Sequence, residues 1–252
     1  MSSKLTRALK NPRRYLKART AIDFARVNNA VLGLRSCPSI VPSGLRELDE
    51  VRTRSLSRTD INDHLETIFV EALSARPRLI VELGVRSGES TFVLERVAKL
   101  CQSRLISVDI DDCSDIHTYR DATFVQSDDI EFAKTFGEWC KASNIDPEID
   151  VLYIDTSHVF EHTLEEIRSW FPYLADRAKV MFHDTNLKAV FRRRDGTMGI
   201  TLDTERGVIR ALETHFNTTF DETKDFIDVR DGWLIRHHTI CSGFMTLERL
   251  GI

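Results

Sequence analysis

The sequence predicts an α/β fold built on a mainly parallel β-sheet. Short aliphatic runs alternate with amphipathic stretches through most of the 252 residues, an order typical of strands joined by crossover helices. Continuous apolar runs such as Val151-Leu152-Tyr153-Ile154 favour strands buried on both faces of a parallel sheet. A hydrophobic content of 42% is enough to build the core that such a fold needs.

The elements follow one another in a specific order. A helix is predicted to begin near Thr59 and to end before Pro77, with apolar residues at helical spacing between them. Seven strands are predicted, at residues 79–83, 104–109, 122–126, 149–155, 179–184, 226–229 and 232–237. The helices that connect them are predicted at residues 90–100, 129–142, 163–174 and 205–216. This order predicts a seven-stranded, mainly parallel sheet that ends in an antiparallel hairpin.

The amino-terminal region has a different composition from the α/β region. Residues 1–26 carry eight Lys or Arg and one acid, Asp23, although the whole chain has a formal net charge of -4. We therefore expect a basic appendage over residues 1–58 and one α/β domain over residues 59–252. The appendage is expected to act as a lid or as a contact between subunits, and a solvated tail is the alternative.

The cysteine spacing and the hydropathy of the chain indicate where in the cell the protein functions and which partners it has. The five cysteines are scattered without paired spacing, which predicts neither a disulfide framework nor a zinc site and favours a reducing compartment. No apolar run approaches the roughly 20 residues of a membrane span, and no signal-peptide pattern is present. We expect a cytoplasmic protein without a transmembrane segment. Its near-neutral charge also predicts no nucleic-acid partner.

A glycine-containing turn follows the first predicted strand. Gly84 and Gly88 allow a sharp turn and a close approach of the backbone to a ligand, and Ser90 can cap the next helix. Asp109 ends the second strand, where an acid can bind the two hydroxyls of a ribose. The pair of features predicts a site for a nucleoside-containing cofactor.

The turn resembles the first motif of class I S-adenosylmethionine-dependent methyltransferases, an acid followed by glycine, as in Glu82-Leu83-Gly84. Glu82 also separates it from the GxGxxG turn of nicotinamide-binding folds. The resemblance implies that the methionine portion of the cofactor is surrounded by Glu82, Gly84, Arg86, Gly88 and Ser90, and that Asp109 binds the ribose. It further implies that Asp128 or Asp129 binds the adenine amino group, with helix capping as the alternative for both.

A second set of polar residues ends the fourth and fifth strands. Asp155, His183 and Asp184 should converge there, because the carboxyl ends of neighbouring parallel strands face one crevice. Their oxygen and nitrogen ligands predict a divalent metal site, for Mg²⁺ or Mn²⁺. The ion would bind vicinal hydroxyls of an acceptor and lower the pKa of one of them. His158, on the loop after the fourth strand, is the candidate general base.

This arrangement resembles the metal-dependent sugar O-methyltransferases of macrolide and aminocoumarin tailoring and the related cephalosporin hydroxylase-like group. The resemblance implies an enzyme that methylates a hydroxyl of a sugar, glycoside or oligosaccharide. His183 stands where those relatives carry Glu, so either His183 or Asn186 is expected as the third metal ligand. The relatives also imply a homo-oligomer, most simply a dimer.

Three alternatives remain at this point. A catechol-like small molecule is the first, although the Asp-Asn pair of catechol methyltransferases is absent because Thr185 follows Asp184. A non-catalytic S-adenosylmethionine-binding partner protein is the second, and an iron-dependent hydroxylase is the third. The segment 191–204, with three consecutive arginines at 192–194, is expected to form a mobile loop over the acceptor or to be a solvated charged loop.

Overall fold

An eight-stranded sheet organises the chain, with helices on both of its faces. The computed structural model describes residues 12–33, 40–201 and 205–251, with side chains from residue 19 onward. The first eleven residues of the basic segment therefore lie outside the described residues. The spatial order of the strands is β3-β2-β1-β4-β5-β10-β9-β8.

The main sheet and a small hairpin account for the described strands. The strands are β1 (Leu79–Leu83), β2 (Arg104–Asp109), β3 (Ala122–Gln126), β4 (Ile149–Ile154), β5 (Leu174–His183), β6 (Val190–Arg192), β7 (Met198–Ile200), β8 (Phe226–Arg230), β9 (Trp233–His238) and β10 (Phe244–Arg249). The α-helices are α1 (Pro12–Leu32), α2 (Arg46–Arg54), α3 (Leu65–Ala75), α4 (Glu89–Cys101), α5 (Asp129–Ala142), α6 (Phe160–Trp170) and α7 (Gly207–His215).

The alternation of side chains along β1 divides the core into two layers. Ile80 faces a cluster that includes residues of α2, α3 and α4, whereas Leu79, Val81 and Leu83 face the layer that contains α5, α6 and α7. All five residues of β1 are buried, as a central parallel strand requires. The predicted α/β class and its parallel half, from β1 to β5, are confirmed.

The carboxyl-terminal part of the sheet differs from the prediction of seven strands. An eighth strand, β10, lies antiparallel between β5 and β9, so the predicted hairpin of β8 and β9 does not contact β5 directly. The sequence of β10 mixes Phe244 and Leu247 with polar and charged residues, and it carries no strong local strand pattern. The position of β10 is determined by its pairing with β5. A local sequence pattern does not indicate such pairing between distant segments.

The helix before β5 is also shorter than predicted. It ends at Trp170, a short 3-10 turn follows over Phe171–Tyr173, and β5 begins at Leu174 instead of residue 179. Pro172 lies in this turn and cannot donate a helical hydrogen bond. The strand gains five residues at its amino-terminal end as a result.

Helix α2 is packed into the domain although it lies within the predicted appendage. Val51 is fully buried in the layer that contains α3 and α4. Arg54 forms a bidentate ion pair with Glu89 at the start of α4, at 2.7 and 3.1 Å. None of the helices in the described ranges is long and apolar enough to cross a membrane.

Glu95 on α4 fixes the segment that leads into β3. Its carboxylate accepts hydrogen bonds from the amides of Thr118 and Tyr119 at 2.7 and 3.0 Å and from the Thr118 hydroxyl. Burial opposes ionisation of Glu95, but these donors and His117 outweigh it and lower the pKa of Glu95 to about 2.

We expect Glu95→Gln to lower the free energy of unfolding by roughly 2 kcal/mol at pH 7. The pKa of Glu95 is lower in the folded chain than in the unfolded chain, so its stabilising contribution is complete above about pH 4.5 and disappears as the pH falls toward 2. Urea unfolding at pH 7 and at pH 3 measures this difference. The control is Glu138→Gln on the exposed face of α5. An equal loss for Glu95→Gln at both pH values would contradict the role of the ionised carboxylate.

Candidate active site

The turn between β1 and α4 lies against the end of β4. Gly84 has a φ of 87°, and a Cβ atom placed there would lie 2.2 Å from the carbonyl oxygen of Asp155. Gly88 has a φ of 77°, and its Cβ would clash with the Ile116 side chain at 2.4 Å. Both positions therefore require glycine for backbone conformation and for space. The turn is joined directly to the strand end that carries Asp155.

Glu82 lies beneath this turn and is fully buried. Its carboxylate accepts hydrogen bonds from the hydroxyls of Ser90, Thr91 and Ser107, the shortest at 2.6 Å. Burial raises the pKa of Glu82, and the three hydroxyls oppose that rise. Two of the predicted cofactor residues, Glu82 and Ser90, are thus in contact. Their hydrogen bond connects β1 to the first turn of α4. Their contact with the cofactor stays a prediction.

Asp109 holds the turn from the end of β2. Its Oδ2 accepts hydrogen bonds from the amides of Val85 at 2.7 Å and Arg86 at 3.0 Å, and its Oδ1 accepts one from Asp111 at 2.9 Å. Burial opposes ionisation, but these amides lower the pKa of Asp109. The Arg86 guanidinium extends in another direction and pairs with Asp60 at 2.9 Å. Asp109 therefore fixes the backbone of the turn, and its contact with a ribose stays a prediction.

The two acids after β3 have different environments. Asp128 is exposed and caps α5, because its Oδ1 accepts hydrogen bonds from the amides of Ile130 and Glu131 at 3.0 Å. The capping alternative thus describes Asp128. Asp129 is buried and contacts Nε2 of His162 at 3.1 Å. Contact of either acid with an adenine group stays a prediction.

Three potential metal ligands meet at the ends of β4 and β5. Asp155, His158 and Asp184 each offer one ligand atom, and these atoms all lie within 4.8 Å of one another. We call these three residues the strand-end cluster. Nε2 of His158 lies 2.5 Å from Oδ2 of Asp184. Two carboxylates and an imidazole form a donor set that suits Mg²⁺ or Mn²⁺, so the residues present fit the predicted ion.

Backbone conformation and neighbouring residues orient the strand-end cluster. Asp184 has a φ of 57°, a left-handed conformation that turns the chain sharply as β5 ends. Burial opposes ionisation of Asp184, but the neighbouring imidazoles of His183 and His158 lower its pKa. The Tyr153 hydroxyl, which is buried on β4, donates to Oδ2 of Asp155 at 3.2 Å.

His183 supports both carboxylates of the cluster. Its Nδ1 lies 3.3 Å from Oδ1 of Asp155 and 3.4 Å from Oδ1 of Asp184, and the ring is buried. The buried ring of His64 packs edge-on against it, with centroids 5.9 Å apart. Burial opposes protonation of His183, but the two carboxylates raise its pKa well above the ordinary value. His183 thus contacts the predicted ligands as a hydrogen-bonding neighbour.

Asn186, the other expected third ligand, forms a hydrogen bond with a different part of the chain. Its Nδ2 donates to the carbonyl oxygen of Thr239 at 3.3 Å. His158 is the third donor that the described geometry places beside Asp155 and Asp184. Tyr153 and His64 were not identified from the sequence. Tyr153 and Asp155 are two residues apart, and residues at this spacing lie on one face of a strand. This spacing is the sequence pattern from which Tyr153 could have been predicted.

The segment predicted as a mobile loop contains an ordered hairpin. Strands β6 and β7 pair antiparallel, and the side chains of Asn28 and Asn29 on α1 donate to carbonyl oxygens of Gly196 and Met198. Arg193 is buried and donates to the Thr59 carbonyl oxygen at 2.7 Å. This guanidinium therefore joins the hairpin to the segment that precedes α3. Residues 202–204 at the end of the predicted loop lie outside the described residues.

The fold and the site together define a class of protein. Parallel strands β1 to β5 with an antiparallel carboxyl-terminal region, a glycine turn after β1 and an acid at the end of β2 are the features of a class I S-adenosylmethionine-dependent methyltransferase. A family profile described as a methyltransferase domain matches residues 81–185. That range includes the glycine turn, Asp109 and the strand-end cluster. Residues 81–185 are therefore similar to a methyltransferase domain.

Solved structures share this fold at low sequence identity. One is the MycE methyltransferase from the mycinamycin biosynthetic pathway in complex with Mg, SAH and mycinamycin VI, with 16% identity and a TM-score of 0.50 over 81% of this chain. The alignment covers 54% of the MycE chain, so the present chain spans about half of that protein. Another is cofactor-bound Rv0187 from MTB, with 14% identity, a TM-score of 0.50 and coverage of 92% of this chain and 91% of the other. No curated protein matches the sequence.

Proposed function

We propose that the protein transfers the methyl group of S-adenosylmethionine to a hydroxyl of a sugar or glycoside, assisted by Mg²⁺ or Mn²⁺ that Asp155 and Asp184 of the strand-end cluster hold. The observation that carries this proposal is the contact between Gly84 and Asp155. A Cβ at Gly84 would lie 2.2 Å from the Asp155 carbonyl oxygen, so the cofactor turn and the metal-binding residues form one site. Methyl transfer requires the methyl donor and the acceptor hydroxyl to be aligned next to each other in one site.

The side chains have separate roles in this proposal. The turn between residues 84 and 88 and the carboxylate of Asp109 bind the cofactor, while Asp155 and Asp184 hold the ion. When bound, the ion lowers the pKa of an acceptor hydroxyl. Tyr153 and His183 keep the two carboxylates in place through hydrogen bonds at 3.2 to 3.4 Å.

His158 is the proposed general base, oriented by Asp184. With Asp184 ionised, neutral His158 can donate its Nε2 hydrogen to the carboxylate across the contact of 2.5 Å, and Asp184 thereby orients the imidazole. Gly207, the first residue of α7, packs against the His158 backbone, because a Cβ there would lie 1.8 Å from its carbonyl oxygen. The start of α7 thereby fixes the loop that carries the base.

A cavity beside the strand end supports a polar acceptor. It begins at Thr185, directly after Asp184, has a volume of 330 Å³, and is lined in part by Lys188, Arg206 and Glu222. Hydroxyl-rich molecules can form hydrogen bonds with such side chains. The MycE complex, which contains Mg, SAH and mycinamycin VI, supports a small-molecule acceptor held beside a divalent ion. A vicinal diol would offer two oxygen ligands to the ion.

We expect methyl transfer to stop in EDTA and to return when excess Mg²⁺ or Mn²⁺ is added, because the cluster needs the ion to activate the hydroxyl. The measurement is transfer of labelled methyl from S-adenosylmethionine to a panel of glycosides and catechols. Asp155→Asn should need at least about tenfold more Mn²⁺ for half-maximal activity, and Asp150→Asn, at the opposite end of β4, is the matched control.

The outcomes of this assay separate the alternatives. Transfer that is undiminished in EDTA would overturn the role of the ion. Labelled catechols without labelled glycosides would favour the catechol-like alternative, and cofactor binding without transfer to any acceptor would favour a non-catalytic partner protein. The cytoplasmic location, the homo-oligomeric state and the absence of a nucleic-acid partner stay predictions.

A further inference from the structure

A second group of metal-binding side chains lies between α5 and α6. Asp129 is the first residue of α5, and His162 and Glu166 are one turn apart on α6. One ligand atom from each lies within 4.8 Å of the others. We call these three residues the helix cluster. It shares no residue with the strand-end cluster, and it does not depend on the proposed function.

Burial leaves two oxygen atoms of the helix cluster unsatisfied. Asp129 is 7% exposed and Glu166 is fully buried. Within the described part of the chain, Oδ2 of Asp129 and Oε2 of Glu166 have no hydrogen-bond partner. Buried polar atoms are nearly always satisfied in folded proteins, so two such atoms in one cluster indicate that a ligand belongs there.

The charge of the helix cluster also requires a cation or a proton. Among the described residues no Lys or Arg forms an ion pair with Asp129 or Glu166, and the basic side chain beside both acids is His162, at 3.1 and 3.8 Å. Burial raises the pKa of Glu166 well above its ordinary value, and the neighbouring carboxyl group of Asp129 raises it further. Two buried carboxylates without a cation between them would be strongly destabilising.

The donor set favours zinc among the divalent ions. Contacts of 3.1 and 3.8 Å between His162 and the two acids are close to the separations of ligand atoms that each lie about 2.0 to 2.2 Å from one ion. Zinc accepts both imidazole nitrogen and carboxylate oxygen as ligands, whereas the partly exposed strand-end cluster can accommodate the waters that Mg²⁺ retains. Mg²⁺ would retain several waters, which a cluster with a fully buried Glu166 does not accommodate.

We propose that the helix cluster of Asp129, His162 and Glu166 binds a structural Zn²⁺. The ion compensates the charge of the two buried carboxyl groups and joins the amino-terminal turn of α5 to α6. The Thr156 hydroxyl donates to Oε1 of Glu166, and Thr156 directly follows Asp155. Zinc at the helix cluster therefore stabilises the loop between β4 and α6 through the contact of Glu166 with Thr156.

The test uses Zn²⁺ alone and a chain in which the strand-end cluster is disabled by Asp155→Asn and His158→Ala. Isothermal titration calorimetry and zinc analysis after gel filtration should give one Zn²⁺ per chain. Adding His162→Gln or, separately, Glu166→Gln should abolish this binding. Glu165→Gln is the matched control, because Glu165 is the adjacent residue of α6 and its side chain is 47% exposed.

A second measurement uses the double variant without further substitution. Zinc should raise its melting temperature and release protons on binding, because the metal displaces the proton held by the two carboxyl groups. Absence of zinc binding in the double variant, or unchanged binding after His162→Gln, would overturn the proposal and leave a proton-sharing carboxyl pair as the description of the helix cluster.

Discussion

His158→Ala is expected to lower kcat for methyl transfer by about 10² to 10⁴ while binding of S-adenosylmethionine stays within twofold of the parent chain. The reason is that a positioned general base contributes a factor of this size. His158 is held by Asp184 at 2.5 Å, and the predicted cofactor residues Gly84 and Asp109 do not include it. Steady-state kinetics and calorimetric titration of the cofactor measure the two quantities.

The control for this substitution is His215→Ala. His215 is the last residue of α7, and the first residue of this helix, Gly207, packs against His158. The nine-residue helix is about 12 Å long, so His215 lies about that far from the site. The parent chain should also lose activity at low pH as the base becomes protonated, and His158→Ala should lack that acidic limb. Retention of full activity by His158→Ala would exclude it as the base.

Gly84→Ala is expected to lower the free energy of unfolding by roughly 3 kcal/mol or more and to abolish cofactor binding. The φ of 87° is unfavourable for alanine, and the new Cβ would lie 2.2 Å from the carbonyl oxygen of Asp155. Either the turn or the end of β4 must move. Chemical denaturation and cofactor titration measure the two effects.

Gly232→Ala separates the conformational cost from the steric one. Gly232 has a φ of 78° in the turn between β8 and β9, and a Cβ there would meet nothing within 4 Å. This control should therefore cost only about 1 to 2 kcal/mol and leave cofactor binding unchanged. Equal destabilisation by both substitutions would show that the contact with Asp155 is not what makes glycine necessary at residue 84.

The parallel half of the sheet was predictable because its signals are local. Continuous aliphatic runs marked β1, β2 and β4, and Asp128 marked the start of α5 through its capping side chain. The convergence of Asp155 with Asp184 followed from the rule that neighbouring parallel strands end at one edge. The position of β10 was not predictable in this way, because the pairing of Phe244 with His183 joins distant parts of the chain.

The roles of the histidines depended on orientations that a sequence pattern does not contain. His183 ends β5 and was expected as a ligand, but its ring lies buried beside His64 and reaches the carboxylates through Nδ1. His158 entered the strand-end cluster because Asp184 adopts a left-handed conformation and meets its Nε2. The sequence indicated that Asp155, His158 and Asp184 lie near one another at neighbouring strand ends, but it did not indicate their contacts with Tyr153 and His183 or the position of His64.

The placement of β10 has a consequence for the order of folding. The hairpin of β8 and β9 joins the sheet only through β10, which follows both of them along the chain. Until β10 is made and paired, the edge of β5 has main-chain groups without strand partners and is open to pairing with other chains. The parallel half can form early from contacts along the chain, whereas closure of the sheet waits for its last strand. Release of the nascent chain before β10 pairs would favour aggregation at β5.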